Sequence, residues 1–379
     1  MPGSLGKERE AEGLDGSAGP AILGREGVAL PELPAVIKFP SVAKARQGPK
    51  NEGSRMSTRP RGARLGIGLP VRNGENYLSE ALACLLGQTF TDFRLIIADN
   101  ASTDRTEEIC REAAARDKRV VYIRHPHNIG ASGNFNFLFH ASPCELFKWA
   151  AHDDLMAPTY LERCIALLDE DPAAVVAHSA TVEIDPEGRE LRRYDQDQLG
   201  LLSPSPSQRL RATFRLAYPA MVWGVMRREA VAKTRLFGSY LGSDWNFVGE
   251  MVLLGRVALA DECLFKVRNH TRAFSFGLQR TSKRERLAWF NPRVKAPALA
   301  SAVVSSARFA QAALRHPMPL RERAACLAYI AERTATRFRR WSKRPRSRQV
   351  TAVSLPQELQ AAPSGRVGAV VGAGAESGR

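Results

Sequence analysis

Paired metal-binding cysteines are missing from this chain of 379 residues. No CxxC pair occurs among its six cysteines, which are Cys84, Cys110, Cys144, Cys164, Cys263 and Cys326. This spacing excludes a zinc ribbon and a small disulfide framework. Most of these cysteines lie in apolar helical or strand-like contexts, which favours buried free thiols. A reducing cytoplasm is compatible with that composition.

Long apolar segments are also missing. No stretch reaches the roughly 18 apolar residues that a membrane-spanning helix needs. The best candidate begins at Ala296, is rich in Ala and Ser, and is interrupted by Arg308. The N-terminus shows no basic segment followed by an apolar one. We therefore expect neither a membrane span nor a secretory signal.

Acidic residues are outnumbered, since 55 Lys and Arg oppose 39 Asp and Glu and give a formal net charge of +16. Half of this excess comes from residues 333–348, which hold eight basic residues and no acid. Because this segment follows an amphipathic helix predicted at 321–330, it favours peripheral contact with an anionic membrane. A solvated helix face and a nucleic-acid contact are the alternatives. We expect no nucleic-acid partner, since no RRM, KH or helix-turn-helix signal occurs.

The composition divides the chain into four parts. Residues 1–60 are rich in Gly, Pro and charged residues and are predicted to be a disordered tail. Met56 opens a short polar lead into an apolar strand, which favours it as the true initiator; a genuine tail is the alternative. Residues 61–290 are predicted to form the main domain, 291–342 a basic helical extension, and 343–379 a second disordered tail.

Apolar runs and helical patterns alternate through the first half of the main domain. Strands are predicted at 65–70, 94–99, 120–125, 145–154 and 174–182, with helices at 76–86, 103–117, 134–142 and 158–171. This alternation predicts an α/β fold with a mostly parallel, Rossmann-like sheet covered on both faces. The pattern then becomes less regular, with helices around 207–217 and 244–255 and a strand around 257–268.

Polar groups follow the predicted strands where a parallel sheet binds its ligands. They are Pro70-Val71-Arg72-Asn73-Gly74-Glu75, Asp99-Asn100, Asn128 and His152-Asp153-Asp154. Singly, each reads as a turn or a capping loop; together they predict one polar crevice. An Asp there can accept a hydrogen bond from a nucleobase, and adjacent carboxylates can hold a divalent cation beside a departing diphosphate. Neither GxxxxGK[ST] nor GxGxxG follows the first strand, which argues against a P-loop and a dinucleotide fold.

Four motifs carry a resemblance to a known family. GLPVRNGENYLSEALACLLGQTF, LIIADNASTDRT, RHPHNIGASGNFN and KWAAHDD occur in this order and resemble those of bacterial family 2 glycosyltransferases. The resemblance covers roughly residues 64–275. It implies the GT-A (nucleotide-diphospho-sugar transferase) fold and inverting transfer of a sugar from a nucleotide-diphosphate sugar. UDP- and dTDP-sugars are the favoured donors, with Mn²⁺ or Mg²⁺ as the cofactor.

The same resemblance implies roles for individual residues. Donor-nucleotide binding falls to Pro70, Arg72, Asn73, Asp99, Asn128 and Asp153. Within this set Asp99 contacts the base, and Asp153 lies by the ribose and the metal. Asp154 is the expected metal ligand. His152 stands where relatives often carry a carboxylate, which puts a third acidic ligand in doubt.

An inverting transfer also needs a general base to take the proton of the acceptor hydroxyl. The resemblance places this base near the start of a helix in the second half of the domain, where Asp244 lies. The alternative is that Asp244 only caps that helix. Glu250, within the same helix, is the rival and is otherwise structural or an acceptor contact.

The segment after the last predicted strand resembles the closing segment of the family. His270 can ligate the metal, since neutral imidazole suits Mn²⁺; a solvated loop histidine is the alternative. Arg268 and Arg272 are candidates for binding phosphate, and a basic surface strand is the alternative. Trp223 is a candidate acceptor contact, whereas Trp149 is predicted to be buried in the core.

Two other function classes compete with this one. A sugar-phosphate nucleotidyltransferase also combines an α/β sheet, a nucleotide and a carboxylate-bound metal, but usually has a Gly-rich basic loop after the first strand. A basic nucleic-acid-binding protein is indicated by charge alone. For the glycosyltransferase, the expected acceptor is an envelope glycan or a lipid-linked glycan. The expected location is the cytoplasm. A peripheral position at the inner face of the plasma membrane is the variant of this expectation that the basic segment favours.

Overall fold

The computed structural model describes residues 62–194, 200–271, 273, 282–292 and 298–342. Arg272, Met56 and the segments 1–61 and 343–379 lie outside the described residues, so the interpretations given for them stay predictions. The chain divides into two compact units, Met1–Ile330 and Ala331–Arg379. No described helix is both long enough and apolar enough to cross a membrane.

One mixed sheet forms the centre of the first unit. Its described strands are β1 (Leu65–Val71), β2 (Phe93–Asp99), β3 (Val120–Arg124), β4 (Leu146–Trp149), β5 (Leu155–Met156), β6 (Ala174–Ile184), β7 (Glu190–Arg193), β8 (Val225–Arg227) and β9 (Arg256–Arg268). Their order is β3-β2-β1-β4-β8-β6-β9-β5, with β7 beside β6.

The sheet is parallel in its first half and mixed in its second. β1 runs parallel to β2 and β4, and β2 to β3, as the alternating pattern predicts. β8 is inserted between β4 and β6 and runs antiparallel to both. β6 and β9 are parallel, whereas β5 runs antiparallel to β9. The carboxyl ends of β1, β2 and β4 therefore meet at one edge, where a ligand is expected.

The described helices are α1 (Leu78–Leu86), α2 (Thr106–Arg116), α3 (Gly130–Ala141), α4 (Tyr160–Glu170), α5 (Pro206–Thr213), α6 (Arg228–Lys233), α7 (Ser243–Leu254), α8 (Lys283–Phe290), α9 (Ala298–Arg315) and α10 (Leu320–Ser342). Apolar residues at helical spacing bury one face of each amphipathic helix. In α4 that face is made by Leu161, Cys164, Ile165 and Leu168. Trp149 is fully buried, which confirms the prediction that it belongs to the core.

Two bounds near the predicted crevice differ from the sequence pattern. The fourth strand ends at Trp149, so Asp153 and Asp154 lie in the turn between β4 and β5. The third helix begins at Gly130, four residues earlier than predicted, because the Asn128 side chain accepts a hydrogen bond from the Gly130 N–H at 2.8 Å.

Gly130 allows α8 to pack closely on the start of α3. Its φ is +81°, and a Cβ at this position would lie 2.4 Å from the carbonyl oxygen of Phe290. An L side chain here would therefore be strained and would push α8 away.

We predict that Gly130→Ala lowers the free energy of unfolding by about 3 kcal/mol, from left-handed strain plus a clash with backbone. Gly188→Ala is the matched control. Gly188 has a φ of +87°, and a Cβ added there would meet nothing within 4 Å. Strain alone should then cost about 1 kcal/mol. Urea unfolding of both variants measures the difference, and equal losses would contradict the proposed contact with α8.

Candidate active site

A cavity of about 740 Å³ opens at the carboxyl ends of β1, β2 and β4. Its walls come from the loops after β1 and β2, the start of α3, the acidic turn after β4, the end of β9, the start of α7 and one side of α8. The polar groups that the sequence places after successive strands thus meet in one cavity, with few exceptions.

The loops after β1 and β2 form one polar wall by hydrogen bonding to each other. Asn73 has a φ of +54°, and its side-chain oxygen accepts a hydrogen bond from Thr103 N–H at 2.9 Å. Arg72 Nη1 donates to the carbonyl of Asn100 at 2.7 Å. Pro70, Arg72 and Asn73 all line the cavity, where the nucleoside pocket is predicted from the sequence.

Asp99 lies beneath this wall and does not line the cavity. Its side chain is fully buried, and its carboxylate accepts hydrogen bonds from Ser102 N–H at 2.8 Å and Tyr122 OH at 2.9 Å. Arg124 forms an ion pair with it at 3.4 Å. Asp99 therefore holds the loop after β2 in place, and the next residue, Asn100, faces the cavity instead.

The segment Asn128-Ile129-Gly130 closes the same side of the cavity. Asn128 lines the cavity, as expected for a donor-pocket residue. Asn100 Oδ1 accepts a hydrogen bond from the Ile129 N–H at 2.8 Å, which ties this segment to the loop after β2. Asn134 supports the arrangement from below, since its Nδ2 donates to the carbonyl of Ala98 at 2.8 Å.

The acidic turn after β4 brings Asp153 to His270. Asp153 Oδ2 lies 2.8 Å from His270 Nε2, and its Oδ1 lies 3.8 Å from His152 Nδ1. Burial alone would raise the pKa of the Asp153 carboxyl. The charge of His152 and the hydrogen bond from His270 outweigh it and hold that pKa below its usual range. Asp153 thus stays ionised in the cavity wall.

Asp154 has different surroundings from its neighbour. It is 5% exposed, and its Oδ1 accepts a hydrogen bond from the backbone N–H of Arg268 at 3.0 Å. Burial, and then the adjacent charge of Asp153, raise the pKa of Asp154 well above its usual value. Asp154 therefore fixes the end of β9 to the acidic turn, although it also borders the cavity.

Arg268 is fixed by protein groups on several sides. Its guanidinium donates to Glu80 at 2.7 Å and to the carbonyl of Pro186 at 2.7 Å, and it stacks 4.7 Å from the ring centroid of Tyr77. It is 3% exposed but still borders the cavity beside Asp153. Its position is therefore set before any phosphate arrives.

Asp153 in the acidic turn and His270 after β9 are two side chains of types that bind divalent cations. Among the described residues, no group of three or more His, Cys, Asp and Glu side chains is suited to hold a metal ion. The Asp153 carboxylate and the His270 imidazole nevertheless converge at 2.8 Å. Mg²⁺ often takes only one or two carboxylates and completes its shell with water and substrate phosphates, and Mn²⁺ accepts imidazole and oxygen ligands.

Asp244 borders the cavity from the start of α7. Gly242, with a φ of +86°, occupies the N-cap position, so Asp244 lies in the first turn of α7 and not at the cap itself. The Asp244 side chain is half-buried, and burial raises the pKa of its carboxyl. A carboxylate with a raised pKa is a stronger proton acceptor once ionised, as general-base catalysis requires.

Glu250 lies two turns further along α7 and does not border the cavity. It is 3% exposed, forms an ion pair with Arg315 of α9, and lies 3.5 Å from His316 Nε2. It also accepts a hydrogen bond from Arg235 N–H at 3.1 Å. These contacts favour the structural alternative over an acceptor contact.

Aromatic residues form another part of the cavity wall. Trp223 borders the cavity, as expected of an acceptor candidate, and its indole N–H donates to Tyr218 OH at 2.9 Å. Trp289 of α8 also borders the cavity and is 39% exposed. Trp289, Tyr218 and Glu285 line the cavity but were not among the residues predicted from the sequence. One available signal was the capping box from Ser282 to Glu285, which marks the start of α8 and hence the placement of Trp289.

Comparison with known proteins relates part of this chain to glycosyltransferases. Residues 67–235 match the sequence profile described as Glycosyl transferase family 2. An uncharacterised glycosyltransferase of Rickettsia typhi is 29% identical over 144 residues, covering 36% of this chain and 44% of that protein. An uncharacterised glycosyltransferase of Methanocaldococcus jannaschii is 26% identical over 125 residues, covering 33% of this chain and 43% of that protein. The chain therefore matches less than half the length of either relative.

Among solved structures, S. aureus TarS residues 1–349 in complex with UDP-GlcNAc gives a TM-score of 0.54. The two chains are 16% identical, and the match covers 72% of this chain and 73% of TarS. At this identity the likeness concerns the fold. Over residues 67–235 this chain is therefore similar to the family 2 glycosyltransferases, and its α/β architecture resembles that of the GT-A glycosyltransferases.

Proposed function

We propose that this protein transfers a sugar from a nucleotide-diphosphate sugar to an acceptor hydroxyl, with inversion at the anomeric carbon. The observation that carries the proposal is that Asp244 and the acidic turn with Asp153 border one cavity of about 740 Å³. An inverting transfer needs a base on one side of the anomeric carbon and charge stabilisation of the leaving diphosphate on the other. One cavity here offers groups for both tasks.

The polar wall is the proposed donor site. Arg72, Asn73, Asn100 and Asn128 present amide and guanidinium groups to a nucleoside, and Asp153 and Arg268 lie beyond them for the diphosphate. UDP- and dTDP-sugars are the proposed donors. TarS, which shares the fold, was solved with UDP-GlcNAc.

Asp153 and His270 would hold the divalent cation. When bound, Mn²⁺ or Mg²⁺ neutralises negative charge that develops on the departing diphosphate. Arg268 is fixed beside Asp153 and adds positive charge on the same side. Asp244 takes the proton of the attacking hydroxyl. Asp154 keeps the turn attached to β9 through its hydrogen bond with Arg268.

The acceptor is proposed to be an envelope glycan or a lipid-linked glycan, reached from the cytoplasmic side. The basic segment 333–348 is the proposed contact with anionic lipid, and its described part includes the exposed residues Arg333, Arg337 and Arg339 of α10. Each basic residue near an anionic surface contributes about 1 kcal/mol to binding. Co-sedimentation with phosphatidylglycerol vesicles at low and high salt tests this contact, and salt-independent or absent binding would contradict it.

The test of the transferase is nucleotide release from UDP-, dTDP- and GDP-sugars with Mn²⁺, with Mg²⁺ and with EDTA. We expect slow hydrolysis of one donor without acceptor, stimulated by metal and lost with EDTA. Release of pyrophosphate from a nucleoside triphosphate and a sugar phosphate would instead identify a nucleotidyltransferase. Failure of every donor to bind or turn over would refute the proposal.

A further inference from the structure

The cavity has two chemically different halves. The polar half contains Arg72 and Arg268, which are the arginines among its described lining residues. The other half is an aromatic wall, made by Phe135, Tyr218, Trp223, Phe237, Trp289 and Phe290. Within this set, Phe135 lies 4.9 Å from Phe237 and 6.2 Å from Trp223, and Trp289 lies 5.0 Å from Phe290, all between ring centroids. Asp244 and Glu285 border the same cavity as these aromatic residues.

α8 carries Trp289, has a capped start, and is fixed to other elements at its end. At its start, Ser282 and Glu285 form a capping box. At its end, the Phe290 carbonyl packs against Gly130, and Asn291 Nδ2 donates to Ser239 Oγ at 3.3 Å. Ser239 lies in the loop that leads into α7 and Asp244. The position of Trp289 is therefore coupled to the loop that carries the proposed base.

That loop is also fixed to α3, which shares the contact with α8. Asn136 exchanges two hydrogen bonds with the backbone of Phe237, at 2.9 and 3.0 Å. Ser132 Oγ donates to the carbonyl of Gly238 at 2.8 Å. The indole and the carboxylate thus border the cavity from elements that are fastened to one another. A molecule with a hydroxyl at Asp244 therefore lies in the same cavity as Trp289.

The chemistry of this half selects a flat, uncharged molecule with hydroxyl groups. An indole offers a large apolar face against which the C–H face of a sugar ring can stack. Glu285 lies one turn before Trp289 on α8 and borders the same cavity, so a carboxylate and an indole share one face of the helix. Two carboxylates that border this cavity, Glu285 and Asp244, repel an anionic group and accept hydrogen bonds from hydroxyls.

We propose that Trp289 is the stacking wall of an acceptor subsite that binds a neutral hexose ring, with Glu285 and Asp244 as acceptors for its hydroxyls. This proposal rests on the proposed transferase function and names the substrate class of that same cavity. The sugar that receives the new bond is uncharged, so any lipid phosphate of the acceptor lies outside this subsite.

Binding without turnover tests the subsite separately from the transferase. The probes are methyl glucoside and methyl N-acetylglucosaminide, with methyl glucuronide and octyl phosphate as anionic counterparts, observed by saturation-transfer NMR on the full chain. We expect the neutral glycosides to bind with their ring C–H protons nearest the protein. We expect Trp289→Leu to weaken their binding about tenfold, which corresponds to about 1.4 kcal/mol.

Trp289→Tyr keeps an aromatic face and should retain most of the binding. If Trp289 only filled space, Leu would bind the glycosides as well as Tyr does. Leu314→Ala, which shortens an exposed side chain of α9 outside the cavity, is the control for a general effect. Preference for the anionic probes, no binding of the glycosides, or equal binding by the Leu variant would overturn the subsite. Glycoside binding through Trp289 in a protein that hydrolyses no donor would refute the transferase and leave the subsite standing.

Discussion

Asp244→Asn is expected to lower kcat for transfer by roughly 10² to 10⁴-fold, the usual contribution of a positioned base. Asn keeps the size of the side chain but cannot take the acceptor proton. KM for the donor should change little, because the donor-binding groups lie on the polar wall. Steady-state kinetics with the donor found by nucleotide release measure both constants.

The pH dependence gives the same experiment a second readout. Burial raises the pKa of Asp244, and a base works only when it is deprotonated. The rate of the wild type should therefore rise with pH through a pKa above the ordinary value for Asp and then level off. This rise should disappear in Asp244→Asn. A rise of unchanged shape in the variant would assign the base to another group.

Thermal unfolding shows whether Asp244→Asn has lost only the base or also its folded structure. A folded-state pKa above the unfolded one stabilises the protein at low pH, and this contribution is lost as the pH rises through the folded pKa. At neutral pH the ionised Asp244 therefore costs stability, so Asp244→Asn should unfold at the same temperature or higher. Asp261→Asn, at an exposed position of β9, is the control and should change neither rate nor stability. A large fall in the unfolding temperature of Asp244→Asn would make its kinetics uninterpretable as base removal.

The elements of the fold could be predicted from the sequence because each has a strong local signal. The buried strand β2 is predicted at 94–99 and found at Phe93–Asp99, and α4 is predicted at 158–171 and found at Tyr160–Glu170. The insertion of β8 between β4 and β6 was not predictable, since a strand of three residues has too short a pattern to be recognised. That insertion is what makes the sheet mixed.

The position of the site could be predicted from the sequence, but the orientation of its side chains could not. Asp99 and Asn100 are adjacent at the end of β2, and only the structure shows that Asp99 turns towards Tyr122 while Asn100 faces the cavity. Side chains alternate along a strand, so an error of one residue exchanges the two. Asp153 and Asp154 are also adjacent, and only the structure shows that Asp153 contacts His270 while Asp154 accepts a hydrogen bond from Arg268.

Lys148 shows a further limit of the sequence pattern. It lies in the middle of a strand that reads as buried, and it is indeed fully buried. Its ammonium donates to the carbonyl of Trp223 and lies 4.9 Å from the ring centroid of Tyr160. Burial lowers its pKa to about 7. A buried lysine requires polar partners from distant segments, which no local pattern reveals.

The roles of the two carboxylates in the acidic turn can be separated by one pair of substitutions. Asp153→Asn should lower metal-stimulated donor hydrolysis by on the order of 100-fold, because it removes the charged ligand beside His270. The metal concentration that gives half the maximal rate should rise in parallel. Asp154→Asn should keep most of the activity, because an amide oxygen can still accept the hydrogen bond from Arg268 N–H.

The raised pKa of Asp154 strengthens this contrast. A buried carboxyl with a raised pKa is protonated more readily than a free one, so the neutral Asn is a closer substitute for Asp154 than for Asp153. Asp153 has the opposite shift, and its negative charge has no counterpart in Asn. Titration of Mn²⁺ into both variants, with EDTA as the zero point, measures the difference. Loss of activity in Asp154→Asn, with activity kept in Asp153→Asn, would identify Asp154 as the metal ligand. That is the assignment that the sequence resemblance implies.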